Sequence, residues 1–353
     1  MTSPGQTASK VLDRVLVLEM VRVTEAAAIA ASKWIGRGDN DAADDAAVEA
    51  MRAALNELPM DGTVVIGEGE RDEAPMLYIG ERVGSAQDSG PKIDIALDPL
   101  EGTTLTAHAG PNALAVLAIA ENGCLLNAPD VYMQKLAIGP GYPDGTIDLR
   151  KSPADNVRAI AAAKGVEPAD IVACVLERDR HAEIIAELRE LGCGIKLIPD
   201  GDVAGVIATA DPETGIDVYM GSGGAPEGVL AAAALRCVGG QIQGQLLFRN
   251  DDEVARARRW GIDDLDRVYT LKDMAKGDCI FAATGVTDGS LLKGVHRRKS
   301  VVTTESVVMR ASTGTVRRVS TEYRDLAHRG LYTTGRPNLT FAPWGAHSTS
   351  RNR

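Results

Sequence analysis

The sequence predicts an α/β fold, and two features of the chain carry this prediction. In the second half, the apolar runs 171–176, 195–198 and 218–221 have the length of buried strands, and a polar loop and a helical pattern follow each of them. In the first half, the β-branched run 93–97 ends at a proline-containing turn. Strands that alternate with helices are typical of sheets covered by helical layers.

Length and composition are those of a globular protein. The 353 residues are 25% charged and 44% apolar, which is enough for two packed lobes, and no apolar run has the length needed to cross a bilayer. The net charge of −11 argues against nucleic acid and against an anionic membrane as partners. The N-terminus lacks the pattern of a secretory signal, and the five scattered cysteines predict reduced thiols. We therefore expect a cytoplasmic protein.

Turn-forming residues predict where the chain divides into two lobes. A glycine- and proline-rich loop at 139–145 marks a boundary, so we expect one α/β lobe over residues 11–160 and another over 161–325. Residues 326–353 lack periodicity and are rich in arginine, serine, threonine, proline and glycine. They predict a poorly ordered tail.

The N-terminal elements are two helices and two strands. Helical spacing runs from residue 11 to about 33, and Asp44 precedes or opens a second helix, where an N-cap is the simplest role for it. The strand that follows ends in alternating glycines and glutamates. Glycines beside Glu68 allow a ligand to approach the backbone, although a glycine-rich hairpin with solvated acids explains the pattern equally well. Another buried strand is expected at 113–120. Near the end of the second half, further strands are expected at 301–304 and 306–310.

The turn after the run 93–97 holds the most informative polar residues. Asp98 and Glu101 are carboxylates three positions apart, Gly102 permits a tight turn, and Thr103 adds a hydroxyl. Two carboxylates and a hydroxyl at the mouth of a strand suit a hard divalent cation and a positioned water. The alternative is a helix N-terminus with an acidic residue for the dipole.

Three loops of the second half place charged residues and glycines after predicted strands. Ligands of open α/β sheets usually bind at the carboxyl ends of the strands. Arg178 and Arg180 lie two positions apart, which suits phosphate oxygens, although a solvated surface loop is an equal alternative. Tyr132 taken alone predicts only a partly buried aromatic ring.

Four motifs together resemble the bacterial class II fructose-1,6-bisphosphatases, and the resemblance runs from about residue 18 to about residue 321. It implies a layered α/β/α/β/α sugar-phosphatase fold with a metal-binding first lobe and a sugar-binding second lobe. It also implies hydrolysis of the 1-phosphate of fructose 1,6-bisphosphate in gluconeogenesis. The motifs occupy residues 67–76, 98–103, 199–204 and 223–228.

The resemblance also implies the site residues. The implied metal ligands are Asp44, Glu68, Asp98, Glu101 and Glu227. The implied substrate contacts are Glu101, Gly102, Thr103, Tyr132, Arg178, Asp179, Arg180, Asp200, Gly201, Asp202 and Gly224. The implied catalytic residues are Thr103, Glu68, Asp98 and Glu101. The family further implies Mn²⁺ or Mg²⁺, with two or more ions at each site, and a homodimer or homotetramer.

The corresponding hypothesis is a metal-assisted, in-line attack of water on phosphorus, with Thr103 orienting the water and the arginines holding the distal phosphate.

Four positions depart from the family pattern. Asn40 stands where a lysine is usual, Arg178 where lysine is common, Asp179 where proline is common, and Thr104 where some members carry arginine. Exchange of arginine for lysine keeps the charge but changes the geometry of phosphate binding.

Three other functions are compatible with the sequence. One is a dual fructose and sedoheptulose bisphosphatase of carbon fixation. Another is an inositol-monophosphatase-like enzyme, which would treat single phosphates equally. The third is a non-catalytic regulator that binds a metal or a metabolite and releases no phosphate.

Overall fold

The computed structural model describes residues 12, 16–69, 75–299 and 301–324. The predicted tail at 326–353 lies outside these residues, as does the stretch 70–74 of the first family motif. The helices α1 to α9 are Leu16–Ala31, Asn40–Asn56, Thr103–Ala107, Pro153–Lys164, Ala182–Glu190, Asp202–Ala208, Ala225–Val238, Asp251–Arg259 and Leu271–Met274. The strands β1 to β14 are Asp61–Ile66, Arg82–Val83, Lys92–Glu101, Leu114–Glu121, Tyr132–Ile138, Val172–Leu176, Gly194–Ile198, Val218–Gly224, Gln241–Leu247, Val268–Thr270, Cys279–Gly285, His296–Arg298, Val301–Arg310 and Thr315–Arg324.

These strands form two sheets. The first has the order β12-β13-β11-β4-β3-β1-β2, with β14 paired along β13, and only β1 and β3 run parallel in it. The second has the order β10-β9-β5-β8-β6-β7, and β6 pairs in parallel with both β7 and β8. Because β6, β7 and β8 are parallel, the three polar loops that follow them meet at one edge of the second sheet.

Alternating side chains of the strands build the layers. In β4, Val116 and Ala118 face a central core that also contains α6 and α7, whereas Leu117 and Ile119 face a core shared with α1 and α2. A third core lies between the second sheet and α4 and α5, where Val157 and Leu188 are fully buried. The order α1 and α2, first sheet, α6 and α7, second sheet, α4 and α5 confirms the layered α/β/α/β/α fold.

The chain contributes to the first sheet twice. β5 already belongs to the second sheet, and β11 to β14 return to the first sheet after the second is complete. The sheets therefore do not divide at residue 160, because antiparallel pairing of β11 with β4 brings residues 279–285 back to the N-terminal strands. Division of the chain into the lobes 11–160 and 161–325 stays a prediction.

Two strand predictions need correction. The run 93–97 is part of the longer β3, so Asp98 and Glu101 lie within the strand rather than in a turn that follows it. The predicted strands 301–304 and 306–310 are one continuous strand, β13, because β14 pairs with it along its whole length. Over the described part of the chain, helices long and apolar enough to cross a membrane are absent.

Candidate active site

An irregularity in β3 places two carboxylates together. Residues three positions apart point to opposite faces of a regular strand. The pairing register of β3 with β4 shifts between Asp98 and Glu101, and the Leu100 N–H donates to Asp98 Oδ1 at 3.0 Å. Gly102 then turns the chain at a φ of +91° into α3. The shift therefore re-aims one side chain, as bulges near active sites commonly do.

Glu227 completes this group from the other half of the chain. It lies in the first turn of α7, and one carboxylate oxygen from each of Asp98, Glu101 and Glu227 lies within 4.8 Å of the others. Glu227 Oε2 is buried and has no hydrogen-bond partner among the described residues. A Cβ at Gly224 would lie 1.9 Å from that oxygen, so any larger residue there would displace the Glu227 carboxylate.

These three carboxylates have the donor chemistry of a divalent metal site. Hard cations take carboxylate oxygens, and a buried oxygen without a hydrogen-bond partner is expensive unless a cation pairs with it. A helix N-terminus explains an acid in the first turn of α7, but it does not explain why two acids from β3 share the same space. The residues present fit a bound cation.

Asp44 and Glu68 form an adjacent acidic pair. Their side chains are hydrogen-bonded, and Asp98 is close enough for its charge to act on both. Desolvation, with the charges of Asp98 and Asp44, raises the pKa of Glu68 to about 9. Desolvation and Asp98 raise the pKa of Asp44 to about 6. Without a cation, the pair therefore holds a proton at neutral pH.

The helix-cap interpretation of Asp44 is wrong. Asp39 is the N-cap of α2, since its side chain accepts from the Ala42 N–H at 3.0 Å. Asp44 lies one turn inside the helix and is partly buried. Asn40 Nδ2 donates to Thr104 Oγ1 at 3.3 Å, so two of the positions that depart from the family pattern contact each other.

Burial also raises the pKa values of the three clustered carboxylates. Desolvation is the largest cause for each of them. The pKa of Glu101 lies well above its ordinary value because the charges of Asp98 and Asp202 add to desolvation. For Glu227, desolvation and Asp202 raise the pKa to about 7, although Lys135 acts in the opposite direction.

Lys135 is a component of the site that the sequence analysis missed. Its side chain is fully buried in β5, and its Nζ donates to Asp202 Oδ2 at 2.5 Å and to the Gly224 carbonyl at 2.7 Å. Its buried ammonium group therefore faces the clustered carboxylates from the side of the second sheet. The available signal was a lone lysine before the apolar run 136–138, in a stretch for which no strand was predicted.

The predicted sugar-binding residues lie beside this lysine. Asp202 is buried at the start of α6, where Tyr219 donates to it at 3.4 Å, and Gly201 precedes it at a φ of +82°. The N–H of Val203 donates to Glu101 Oε1 at 3.2 Å, which ties this loop to the acidic group. Asp200 lies close enough for its charge to raise the pKa of Asp98.

Of the two arginines predicted to hold the distal phosphate, Arg180 lies against Tyr132. The Arg180 guanidinium carbon lies 4.9 Å from the centroid of the Tyr132 ring, and Arg180 donates to the Ser222 carbonyl at 2.7 Å. His181 fixes Ser222 in turn, because its Nε2 accepts from the Ser222 N–H at 2.8 Å. Neither Ser222 nor His181 was predicted, since both act through backbone contacts that the sequence does not reveal.

Arg178 and Asp179 make contacts that differ from those of Arg180. Arg178 donates to the Pro199 carbonyl at 2.5 Å and lies 3.7 Å from a carboxylate oxygen of Asp200, so it ties two loops together. Asp179 is exposed at the start of a single 3-10 turn. Gly102 and Thr103 lie at the start of α3, directly after Glu101.

Two solved structures show weak likeness to this fold. The extragenic suppressor protein suhB from Bartonella henselae is 18% identical, with a TM-score of 0.31, over 56% of this chain and 74% of that one. The inositol monophosphatase from Anabaena (Nostoc) sp. PCC 7120 is 16% identical, with a TM-score of 0.29, over 56% of this chain and 72% of that one.

Sequence relatives are much closer. The fructose-1,6-bisphosphatase 1 class 2 of Escherichia coli (strain K12) is 49% identical over 327 residues, which cover 88% of this chain and 96% of that protein. The fructose-1,6-bisphosphatase class 2 of Shigella flexneri has the same identity and coverage. The family model of the bacterial fructose-1,6-bisphosphatases encoded by glpX matches residues 14–323. The chain belongs to this family of bacterial class 2 fructose-1,6-bisphosphatases.

Proposed function

We propose that this protein hydrolyses the 1-phosphate of fructose 1,6-bisphosphate to fructose 6-phosphate and phosphate, as a step of gluconeogenesis. Membership of the family and the 49% identity to an enzyme of that name support the reaction. The observation that carries the proposal is the meeting of Asp98, Glu101 and Glu227, whose oxygens lie within 4.8 Å although one of them comes from the other half of the chain.

The cofactor in this proposal is Mn²⁺ or Mg²⁺, with two or more ions at each site. Asp98, Glu101 and Glu227 would hold one ion, and Asp44 with Glu68 would hold another beside it. A bound divalent ion would supply Lewis-acid stabilisation of the phosphoryl oxygens and of the leaving alkoxide. The all-carboxylate donor set suits these hard ions better than it suits zinc or copper.

The chain's own residues would orient the water and accept its proton. Glu68 and Asp44 lie beside each other, and a bound cation would keep their carboxylates ionised, so either of them could accept that proton. The Thr103 hydroxyl would position the attacking water. Gly102 and Thr103 would offer backbone N–H groups to the phosphate oxygens.

The second sheet would bind the rest of the substrate. Asp200, Gly201, Asp202 and Gly224 would contact the sugar, and Lys135 would hold the Asp202 carboxylate in place by its 2.5 Å ion pair. Tyr132, Arg178, Asp179 and Arg180 would lie around the distal phosphate. A grip on that phosphate orients the reacting one, so a sugar with a single phosphate should react more slowly.

A panel of sugar phosphates tests the proposal. Phosphate release is measured for fructose 1,6-bisphosphate, sedoheptulose 1,7-bisphosphate and inositol 1-phosphate, each with Mg²⁺, with Mn²⁺ and with a chelator. We expect metal-dependent release, with fructose 1,6-bisphosphate hydrolysed best. Comparable turnover of the sedoheptulose substrate would instead support the dual enzyme, and equal turnover of inositol 1-phosphate would support the monophosphatase. Metal binding without phosphate release from any substrate would refute the enzyme.

We also propose that the protein is cytoplasmic and that it forms a homodimer or a homotetramer. Support for the location comes from the bacterial metabolic relatives, whereas the assembly rests on the resemblance to the family alone. Sedimentation of the purified protein measures the assembly, and a monomer at micromolar concentration would contradict it.

A further inference from the structure

A second arginine lies against the ring that Arg180 contacts. The Arg249 guanidinium carbon is 5.1 Å from the centroid of the Tyr132 ring, compared with 4.9 Å for Arg180. Arg249 follows β9 and Tyr132 begins β5, and these neighbouring strands pair Tyr132 with Leu247. Arg180 reaches the ring from the loop after β6. Two distant loops therefore direct guanidinium groups at one tyrosine.

Arg249 is paired with a buried carboxylate although its own side chain is 60% exposed. Its Nε donates to Glu253 Oε1 at 2.6 Å, and its backbone N–H donates to Glu253 Oε2 at 2.7 Å. Glu253 is only 1% exposed and sits in the first turn of α8, where Asn250 caps the helix and accepts from the Glu253 N–H at 2.9 Å. A buried carboxylate thus fixes an arginine that faces solvent on its other side.

Two cations at one ring repel each other unless an anion joins them. Cation–π attraction to the tyrosine and the partial neutralisation by Glu253 offset part of that repulsion. An anion such as a phosphate monoester would offset the rest, since arginine forks bind phosphate oxygens through paired N–H donors. In a chain with a net charge of −11, such a positive locus has to be built from a few side chains.

We infer that Arg249 binds the distal phosphate of the substrate together with Arg180, on the face of Tyr132, and so determines the preference for bisphosphates. The inference rests on the proposed function and adds a specificity residue to it. Arg249 lies outside the four motifs that indicate the family, because it comes from the loop after β9. The contacted group is the phosphate that is kept rather than the one that is cleaved.

The kinetic test compares Arg249→Ala with wild type on two substrates. For fructose 1,6-bisphosphate we expect KM to rise about tenfold, with kcat changed by less than about twofold. For fructose 1-phosphate, which lacks the distal phosphate, KM should be unchanged. Arg180→Ala should show the same split, and Arg249→Lys should fall between wild type and Arg249→Ala because it keeps the charge but loses the fork.

Arg258→Ala is the matched control, since Arg258 is an exposed arginine on the adjoining α8. Arg258→Ala should leave KM and kcat unchanged for both substrates. Calorimetric titration of fructose 6-phosphate measures the same contact without turnover, and Arg249→Ala should weaken its binding about tenfold. This measurement separates the two proposals, because it tests Arg249 even if wild type releases no phosphate.

Two results would overturn the inference. One is an Arg249→Ala protein that keeps the wild-type KM and the wild-type affinity for fructose 6-phosphate, which would make Arg249 a surface ion pair of the kind that contributes little. The other is an equal rise of KM for the bisphosphate and for fructose 1-phosphate, which would place its effect away from the distal phosphate.

Discussion

The acidic end of the candidate site and its basic end handle charge in different ways. At the acidic end, five carboxylates from both halves of the chain lie close together, and desolvation raises their pKa values. At the basic end, Arg180 and Arg249 are exposed on the face of Tyr132 and are held by a carbonyl and by Glu253. The acidic end is electrostatically unfavourable until a cation binds there. At the basic end, the arginines are already held in position before a ligand binds.

The difference indicates how a protein of negative net charge can bind a sugar bisphosphate. Metal ions would convert the acidic end into a cationic surface for the reacting phosphate, whereas the basic end would bind the distal phosphate without a cofactor. Substitutions at the acidic end should therefore alter turnover and metal dependence. Substitutions at the basic end should alter KM. The following experiments separate the two ends, beginning with the largest expected effect.

Glu101→Ala or Asp98→Ala should reduce metal-dependent phosphate release by about three orders of magnitude, because each removes a proposed ligand and a charge at the reacting centre. The circular dichroism spectrum should stay that of wild type. Asp45→Asn is the control, since Asp45 is an exposed acid on α2 beside Asp44. Near-normal turnover by both alanine variants would contradict the assignment of the acidic end.

Lys135→Met should cost about 3–5 kcal/mol of unfolding free energy, because it leaves Asp202 buried without its partner. The double variant Lys135→Met with Asp202→Asn removes both charges, so it should recover most of that stability. Phosphate release should stay low in the double variant, since the proposed sugar contact is gone. Urea denaturation and phosphate assays measure the two properties. Full recovery of activity with stability would show that the pair serves only the fold.

The stability of the chelated protein should fall as the pH rises from 6 to 8.5. The pKa of Glu68 is raised from 4.5 to about 9 by desolvation and by Asp98, so the folded state binds a proton that the unfolded chain has released. Stability falls with pH wherever the folded state binds more protons. We expect a decrease in Tm of about 5 °C in the presence of chelator.

Excess Mn²⁺ or Mg²⁺ should reduce this decrease, because a bound cation favours the ionised carboxylates. Glu68→Gln removes the carboxylate whose pKa is raised to about 9 and should flatten the dependence of Tm on pH in chelator. A chelated wild-type protein whose Tm rises between pH 6 and 8.5 would show that the acidic end is not buried as described.

Much of the site could be predicted from the sequence, because short motifs keep their neighbours together. The turn from Asp98 to Thr103 and the loop from Pro199 to Asp202 each place several polar groups within a few residues. Asp44 was harder to interpret, since its role as a cap was the simpler hypothesis until Asp39 was found to cap α2.

Lys135 and Arg249 could not be predicted in the same way. Each is a single charged residue in or after a strand, and a lone charge usually indicates a solvated position. Lys135 is buried only because β5 pairs with β8 and places it against Asp202 and Gly224. Arg249 meets Tyr132 only because β9 pairs with the other edge of β5.

By itself, the sequence determined the α/β class and the acidic motifs, since local spacing and hydrophobic periodicity are properties of neighbouring residues. The layered fold and the family were implied by the resemblance of its motifs to the class II fructose-1,6-bisphosphatases. The resemblance implied that Glu227 joins Asp98 and Glu101, and the tertiary structure gave the distance between them. Only the tertiary structure decided that a buried lysine faces them and that two arginines share one ring. Those contacts join residues far apart in the chain, and strand pairing and helix packing set their distances.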